Sequence, residues 1–353
     1  MPQNEEKNSI FRILDAANNR TGEGLRVVED YVRMVLGDAF LSKELKQLRH
    51  DLAEAMTPLD LSSQILARDS EGDVGRTLQT TAEYERESDQ AILKANLTRV
   101  QQSLRAIEEF TKTIDASVSK NVEQLRYRSY TLEKAIMVTR LSLQSLKDAR
   151  LYVLIDGTYW KQSPEKFETT VQALVDAGVD LIQFRDKTLS DKDHVAIGKR
   201  LTQLTRPTPT RWIMNDRADL AVATDADGVH LGQDDISVSD GRRLVGASKL
   251  IGVSTHDIEQ ARQAVIDGAN YIGVGPVFPS ATKTFDSHVG LELIEEVASE
   301  IKLPAFAIGG INTENIGNVV KAGFNRVAVS AAVSAADDPM SAAKELKLSL
   351  IHI

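Results

Sequence analysis

The sequence contains no cysteine. That absence removes disulfide frameworks, thiolate zinc sites, iron–sulfur clusters and cysteine nucleophiles. Aromatic residues make up only 5%, and Trp160 and Trp212 read as packing residues rather than stacking platforms. No run approaches the roughly 18 apolar residues of a spanning helix, and the leading MPQNEEKNS lacks the basic-then-apolar order of a signal peptide. Cytoplasmic residence is the expectation. The formal charge of -9 opposes adventitious binding to nucleic acid or anionic membrane, so any anionic substrate needs a local cationic cluster. What is present is ordinary for a globular protein: 42% hydrophobic and 26% charged residues in a chain of 353. That length suggests about two domains.

The two parts differ in texture, and the expected boundary separates residues 1–148 from 149–353. From Ile10 to Leu146 apolar residues recur at helical spacing, glycine is sparse, and Pro58 is the only proline after Pro2. An all-α bundle follows from that pattern. ILDAANNRTGEGLRVVEDY from Ile13 is repeated as ILKANLTRVQQSLRAIEEF from Ile92, with Arg20, Leu25, Arg26 and Glu29 in register with Arg99, Leu104, Arg105 and Glu108. Each copy is followed by a second similar piece, KQLRH at Lys46 and EQLRY at Glu123, predicting two helical hairpins related by approximate two-fold symmetry. Between the copies, ARDSEGDVGRTLQTT from Ala67 is polar and reads as a loop.

After Arg150, short apolar runs alternate with amphipathic segments. Eight runs begin near Leu151, Leu181, Arg211, Gly228, Leu250, Tyr271, Ala305 and Arg326. Eight strand–helix units in about 200 residues suit an α/β fold of the (β/α)8 TIM-barrel type, whose chemistry sits where the strands end. There the second strand supplies Gln183, Arg185 and Lys187, alternating onto one cationic face if the strand continues. A solvated charged loop is the plainer reading. The third and fourth strands end in Asn215, Asp216 and in Gln233, Asp234, Asp235. Carboxylates with no histidine partner suit Mg2+ bridging a pyrophosphate, although each Asp equally suits a helix cap. The loop after the sixth strand presents Ser280, Thr282 and Lys283, a good phosphate-binding set or a simple turn. Gly309 and Gly310 after the seventh strand and Ser330 after the eighth occupy the usual phosphate cradle of such barrels. His230, inside the fourth strand, reads as a hydrogen-bonded interior residue rather than an acid. His256 and His288 lie near the mouth without a visible carboxylate partner.

Six motifs occur in order: IQFRDK, MNDRADLA, DGVHLGQDD, IGVSTH, YIGVGPVFPSATK and AIGGI. Together they resemble the thiamin-phosphate synthase family, a transferase family also called thiamin-phosphate pyrophosphorylase. The resemblance implies condensation of 4-amino-2-methyl-5-hydroxymethylpyrimidine diphosphate with a thiazole phosphate, giving thiamin phosphate and diphosphate. It also implies that Arg185, Lys187, Asn215 and Lys283 bind the pyrophosphate and that Asp216 and Asp235 hold Mg2+. Gln183 and Ser254 would meet the pyrimidine, and Ser280, Thr282 and Gly310 the thiazole phosphate. The family usually has threonine where Ser280 stands and serine where Ala331 stands, and Ser330 or a backbone N–H is the expected replacement for the second. Two other readings stand beside it: a thiazole tautomerase-like barrel, which retains the phosphate cradle, and a regulatory or scaffolding protein that binds thiamin precursors without turnover. The first does not need the pyrophosphate and metal residues, and the second predicts substituted carboxylates; here both sets are intact.

The helical part resembles a domain fused to some of these enzymes and proposed there as an alternative hydroxymethylpyrimidine-phosphate kinase, which would make the chain multifunctional. No P-loop or kinase signature accompanies it. Arg20, Arg26, Arg99 and Arg105 around phosphates, with Asp73 as metal ligand or base, is one reading. Arg–Glu pairs at i, i+3, as in Arg26 with Glu29 and Arg105 with Glu108, is the other. A dimerisation module forming a homo-oligomer is the third.

Overall fold

A computed structural model of the chain describes residues 2–59, 65, 66, 68, 86–279 and 289–351. It divides into two compact units, residues 1–136 and 137–353. Gly72, Asp73 and Gly75 of the inter-repeat segment, and Ser280, Thr282, Lys283 and His288 of the loop after the sixth strand, lie outside the described residues.

The first unit is helical. α1 (Pro2–Tyr31) passes through a π-helical turn at Val32–Leu36 and a left-handed Gly37, φ 70°, into α2 (Ala39–Met56). α3 (Asp89–Thr111) is followed by α4 (Ala116–Ser145). Side-chain oxygens cap the orphan amides at two helix starts: Asp38 accepts from Leu41 N at 2.8 Å and Ser88 from Ala91 N at 3.2 Å. Three- and four-residue spacing gathers Leu14, Ala17, Thr21, Leu25 and Val28 on one face of α1, and Leu93, Leu97, Val100, Leu104 and Ile107 on one face of α3, all buried. These two faces form the main helix packing of the unit. At Gly24 a Cβ would come within 2.8 Å of Val100 Cγ2 and 3.2 Å of the Asn96 carbonyl, so a larger residue would push the helices apart.

The predicted hairpin repeat carries an ion pair that the sequence spacing did not suggest. Glu29 meets Arg49 at 3.5 Å, and its counterpart Glu108 meets Arg126 at 2.6 Å. Both arginines come from the second pieces, QLR in each case. The i, i+3 pair forms in the second copy, Arg105 to Glu108 at 2.7 Å. In the first copy Glu29 is engaged by Arg49 instead, because a partner from the facing helix is held in place by packing whereas Arg26 is exposed.

The second unit is a closed barrel of eight parallel strands in the order β1 to β8. They are β1 Leu151–Ile155, β2 Leu181–Phe184, β3 Arg211–Asn215, β4 Gly228–Leu231, β5 Leu250–Thr255, β6 Tyr271–Val274, β7 Ala305–Ile308 and β8 Val327–Val329. Each begins within a residue of its apolar run. The floor is closed from the N-terminal side: Leu146 and Ala149 join Tyr152, Leu181, Ile213, Leu250, Tyr271, Phe306 and Ala328 in one buried cluster. Polar ties fix that plug, with Asn270 Nδ2 donating to Ser142 Oγ at 3.1 Å and Arg211 Nη1 to Ser145 Oγ at 2.8 Å. The barrel unit therefore begins before residue 149. Trp212 is buried and donates through Nε1 to Thr202 Oγ1 at 2.9 Å, while Trp160 packs edge-on against Phe167. No helix among the described residues is long and apolar enough to cross a membrane.

Candidate active site

The carboxyl ends of the strands enclose a cavity of about 550 Å³. Gln183, Arg185, Lys187, Asn215, Asp216, Asp235, Ser254, Gly310 and Ser330 all line it, as do Tyr152, His230, His256 and Ala331. β2 ends at Phe184, so Arg185 and Lys187 reach the cavity from a loop and not from a continued strand. Asp186 builds that loop. Its carboxylate accepts from Thr188 N and Oγ1, both at 2.7 Å, from Leu189 N at 3.0 Å and from Gly157 N at 3.1 Å. Burial opposes its ionisation, but these bonds outweigh burial and hold the carboxyl below its ordinary value.

Asp216 follows β3 in the left-handed region, φ 59°, with its amide donating to the His230 carbonyl at 2.8 Å. A non-glycine residue there is uncommon and needs its surroundings to hold it. Asp235 closes the turn after β4, its Oδ2 accepting from Gly232 N at 2.6 Å. The two carboxylates line the same cavity and interact electrostatically. Burial first, and then the facing charge of Asp235, raise the Asp216 carboxyl above its ordinary value against the pull of Lys187 and Arg185. Lys187 Nζ stands 3.7 Å from Asp216 Oδ2.

Crowded carboxylates with oxygen donors only are the chemistry of a hard divalent cation site. No third His, Cys, Asp or Glu joins them among the described residues. That set fits Mg2+, which is commonly held by one or two carboxylates and completed by water and substrate phosphates.

The opposite wall is shaped by glycine. Gly309 and Gly310 have φ 103° and 64°, and a Cβ on Gly310 would fall 2.3 Å from the Pro279 carbonyl. Phe278 N donates to the Gly309 carbonyl at 3.0 Å and Asn315 Nδ2 to the Gly310 carbonyl at 2.8 Å, so the loops after β6 and β7 run against each other at the rim. His256 turns its Nδ1 toward the Gly275 carbonyl at 2.5 Å, a structural use.

Below the cavity lies a buried polar chain. Gln183 Nε2 donates to Tyr152 OH at 2.6 Å, Tyr152 OH meets Tyr271 OH at 3.0 Å, and Tyr271 OH meets His230 Nδ1 at 3.2 Å. His230 Nε2 meets Ser254 Oγ at 3.0 Å. His230 is thus an interior hydrogen-bonded residue, and burial pushes its imidazole down to about 4. Both tyrosine hydroxyls are raised by burial. Sequence reasoning misses Tyr152 and Tyr271, because each reads as one more apolar strand residue. The available signal was Gly252: a Cβ there would lie 2.1 Å from the Tyr271 ring, so this glycine makes room for it.

In the helical unit Arg20, Arg26, Arg99 and Arg105 are all exposed. Arg105 is engaged with Glu108 and Glu109, and Arg99 Nη1 donates to Asn96 Oδ1 at 3.1 Å.

Comparison with known proteins matches both units. The family described as "Thiamine monophosphate synthase" matches residues 151–333, and the ThiD2 family matches residues 12–135. A thiamine-phosphate synthase of Rhodopirellula baltica is 42% identical over 343 residues, covering 95% of this chain and 91% of that protein. One from Synechocystis is 40% identical over 351 residues, covering 99% of each. The solved thiamine phosphate pyrophosphorylase of Pyrococcus furiosus superposes with TM-score 0.51 at 34% identity, over 57% of this chain and 96% of that one. The chain belongs to the thiamine-phosphate synthase family of transferases, with a ThiD2-family helical domain ahead of its barrel.

Proposed function

We propose that the barrel joins 4-amino-2-methyl-5-hydroxymethylpyrimidine diphosphate to a thiazole phosphate, releasing diphosphate and forming thiamin phosphate. The observation that carries this reading is the meeting of Arg185, Lys187 and Asn215 with the paired carboxylates of Asp216 and Asp235 on one cavity, with Gln183 and Ser254 beside them. Cations and amide donors there suit an anionic leaving group. Gln183 and Ser254, facing the same space without charge, suit the heterocycle. Mg2+ is the proposed metal; Asp216 and Asp235 would hold it, and it supplies counter-charge to the diphosphate.

In this mechanism the bond between the pyrimidine's methylene carbon and the diphosphate oxygen breaks first, the electron pair leaving with diphosphate. Arg185, Lys187 and Lys283 neutralise that developing charge, the electrostatic contribution that is usually largest in such reactions. The aminopyrimidine ring stabilises the cation, and the thiazole nitrogen lone pair then forms the new C–N bond. No nucleophilic side chain is required. Gly310, Ser330, Ser280 and Thr282 grip the thiazole phosphate and set the two rings at bonding distance. For Ser280, Thr282 and Lys283 the assignment rests on family resemblance.

The helical domain is proposed to phosphorylate hydroxymethylpyrimidine phosphate, making the diphosphate that the barrel uses. The ThiD2 match over residues 12–135 supports it. The functional division is proposed as residues 1–148 and 149–353, with the floor plug from residue 137 belonging structurally to the barrel.

Incubating the purified chain with the pyrimidine diphosphate, the thiazole phosphate and Mg2+ tests the barrel reading. Thiamin phosphate should accumulate, and chelator should stop it. Binding of both precursors without product would favour the regulator instead.

A further inference from the structure

The buried chain under the cavity joins two groups that the proposed function assigns to the pyrimidine, Gln183 at one end and Ser254 at the other. Its hydrogens can be counted. Tyr152 OH has two neighbours in the chain, the Gln183 amide nitrogen and Tyr271 OH. The amide nitrogen can only donate, so the single Tyr152 hydrogen goes to Tyr271. Tyr271 oxygen is then accepting, and its own hydrogen goes to His230 Nδ1. A neutral imidazole with Nδ1 accepting carries its proton on Nε2, which therefore donates to Ser254 Oγ. The Ser254 hydrogen is left over and is free for the cavity that Ser254 lines.

The same count fixes the Gln183 end. With one amide hydrogen given to Tyr152, the amide oxygen and the second N–H remain as the edge available to a ligand. Gln183 Oε1 accepts no hydrogen bond among the described residues. Neither end can be reversed alone, because turning the amide would reverse every hydroxyl and move the imidazole proton. Edge-to-face packing of Tyr152, Tyr271 and Phe306 at 5.5 to 5.8 Å holds the hydroxyls in line, and the polarity of the chain follows from the Gln183 amide, which turns its nitrogen to Tyr152. Gly252 and Gly273 supply the space, the first against the Tyr271 ring and the second against His230 Cε1 at 3.4 Å.

The geometry points to Tyr152, Tyr271 and His230 as positioning residues that lock the hydrogen-bond polarity of the pocket, so that Gln183 offers acceptor and donor side by side while Ser254 offers a donor. This inference rests on the pyrimidine-binding reading of that cavity. The matching ligand edge is an exocyclic amino group beside an unprotonated ring nitrogen, as in a 4-aminopyrimidine. The 4-oxo analogue carries a carbonyl beside a ring N–H, the reverse pattern, and would set acceptor against acceptor and donor against donor. A site built of fixed hydrogen-bonding groups rejects such a ligand strongly because its own buried groups lose their partners. Tyr271 does not line the cavity and acts through Gln183 and Ser254, while Tyr152 and His230 border the cavity beside those two residues.

The test compares kcat/KM for the 4-amino and 4-oxo pyrimidine diphosphates in the intact chain, Tyr271→Phe and Tyr152→Phe. Intrinsic differences in reactivity cancel when the amino/oxo ratio of each variant is divided by that of the wild type. Breaking the chain should lower the ratio at least about tenfold, the amino substrate losing rate while the oxo analogue does not. A merely structural role would lower both rates together and leave the ratio unchanged, and that result in folded variants overturns the inference. Nitrogen-15 NMR of the wild-type imidazoles, with His230 assigned through His230→Gln, gives an independent measurement if the phenylalanine variants do not fold. Protonation at Nε2 is expected, and protonation at Nδ1 would overturn the proposed polarity. Failure of the synthase reading would look different: the wild type would make no product from the amino substrate, while the imidazole tautomer would still report on the chain.

Discussion

Asp216 and Asp235 face each other across the ends of the third and fourth barrel strands, and Asp216 does so from a left-handed backbone with a carboxyl raised by burial and by its neighbour. Two carboxylates so placed destabilise each other unless a cation or proton lies between them. Asp216→Ala and Asp235→Ala should each lower thiamin phosphate formation by about 10²–10³-fold, by the scale of losing one electrostatic stabiliser. Far-UV circular dichroism should remain unchanged. Near-normal turnover of both variants in chelator would remove the metal assignment.

The same pair predicts a stability effect of known sign. A folded-state carboxyl raised above its unfolded value means the fold gains stability as pH falls through that window and loses it as pH rises. Asp216→Asn should therefore raise the barrel's melting temperature at pH 7 in metal-free buffer while lowering activity. Both tryptophans, Trp160 and Trp212, lie in the barrel unit, so their fluorescence reports its transition alone.

His230 predicts the opposite pH trend. Its folded value is held down at about 4 against an ordinary 6.5, so the stability from burying it neutral is complete above about pH 6.5 and is lost as pH falls toward 4. At one pKa unit per 1.4 kcal/mol, going from pH 7.5 to 5 should cost the barrel about 2 kcal/mol through this residue. Urea midpoints of wild type and His230→Gln at the two pH values give the comparison. An equal acid loss in both would show that His230 does not carry it.

In the helical unit the two pseudo-equivalent pairs differ in burial. Glu108 and Arg126 are 3% and 8% exposed, whereas Glu29 and Arg49 are 19% and 21% exposed. Glu108→Ala leaves Arg126 charged and enclosed and should cost about 3–5 kcal/mol, while Glu29→Ala should cost about 1 kcal/mol or less. Denaturant unfolding followed by helical circular dichroism separates the two.

Ala331 lines the cavity at the position where the family resemblance leads one to expect serine. Ala331→Ser adds one hydroxyl and should lower the KM for the thiazole phosphate by about fivefold, equivalent to ~1 kcal/mol for one hydrogen bond. An unchanged or higher KM would mean that Ser330 or the backbone already fills that place.

The helical domain can be tested by dividing the chain at residue 137 rather than 150. Residues 137–353 keep Leu146 in the barrel floor and should make thiamin phosphate only from the pyrimidine diphosphate. The intact chain should also accept the monophosphate with a phosphoryl donor, and Arg20→Ala or Arg99→Ala should abolish that route while sparing the other. A barrel starting at 150 lacks Leu146 and should be less stable by about 2–5 kcal/mol, the cost of emptying a buried leucine site.

Periodicity alone determined the helical repeat and the eight strands, because 3.6- and 2-residue spacing and the glycine-bearing turns are local properties. It also placed Gln183, Arg185, Lys187, Asn215, Asp216 and Asp235 at strand ends, and a closed barrel brings such ends to one mouth whatever the details. Side-chain partners were not legible in this way. Glu29 has Arg26 within reach along its own helix, and only the packing of α2 beside α1 hands it to Arg49. Tyr152 and Tyr271 stand 119 residues apart, and nothing local separates a buried hydroxyl with a partner from a strand residue that fills space. Barrel closure decides that, since it carries their rings into a layer where a hydroxyl must be paired, and so makes one connected chain of Gln183, His230 and Ser254. The same holds for Leu146: as a sequence it ends a helix, and it becomes the floor of the barrel only because the chain enters there.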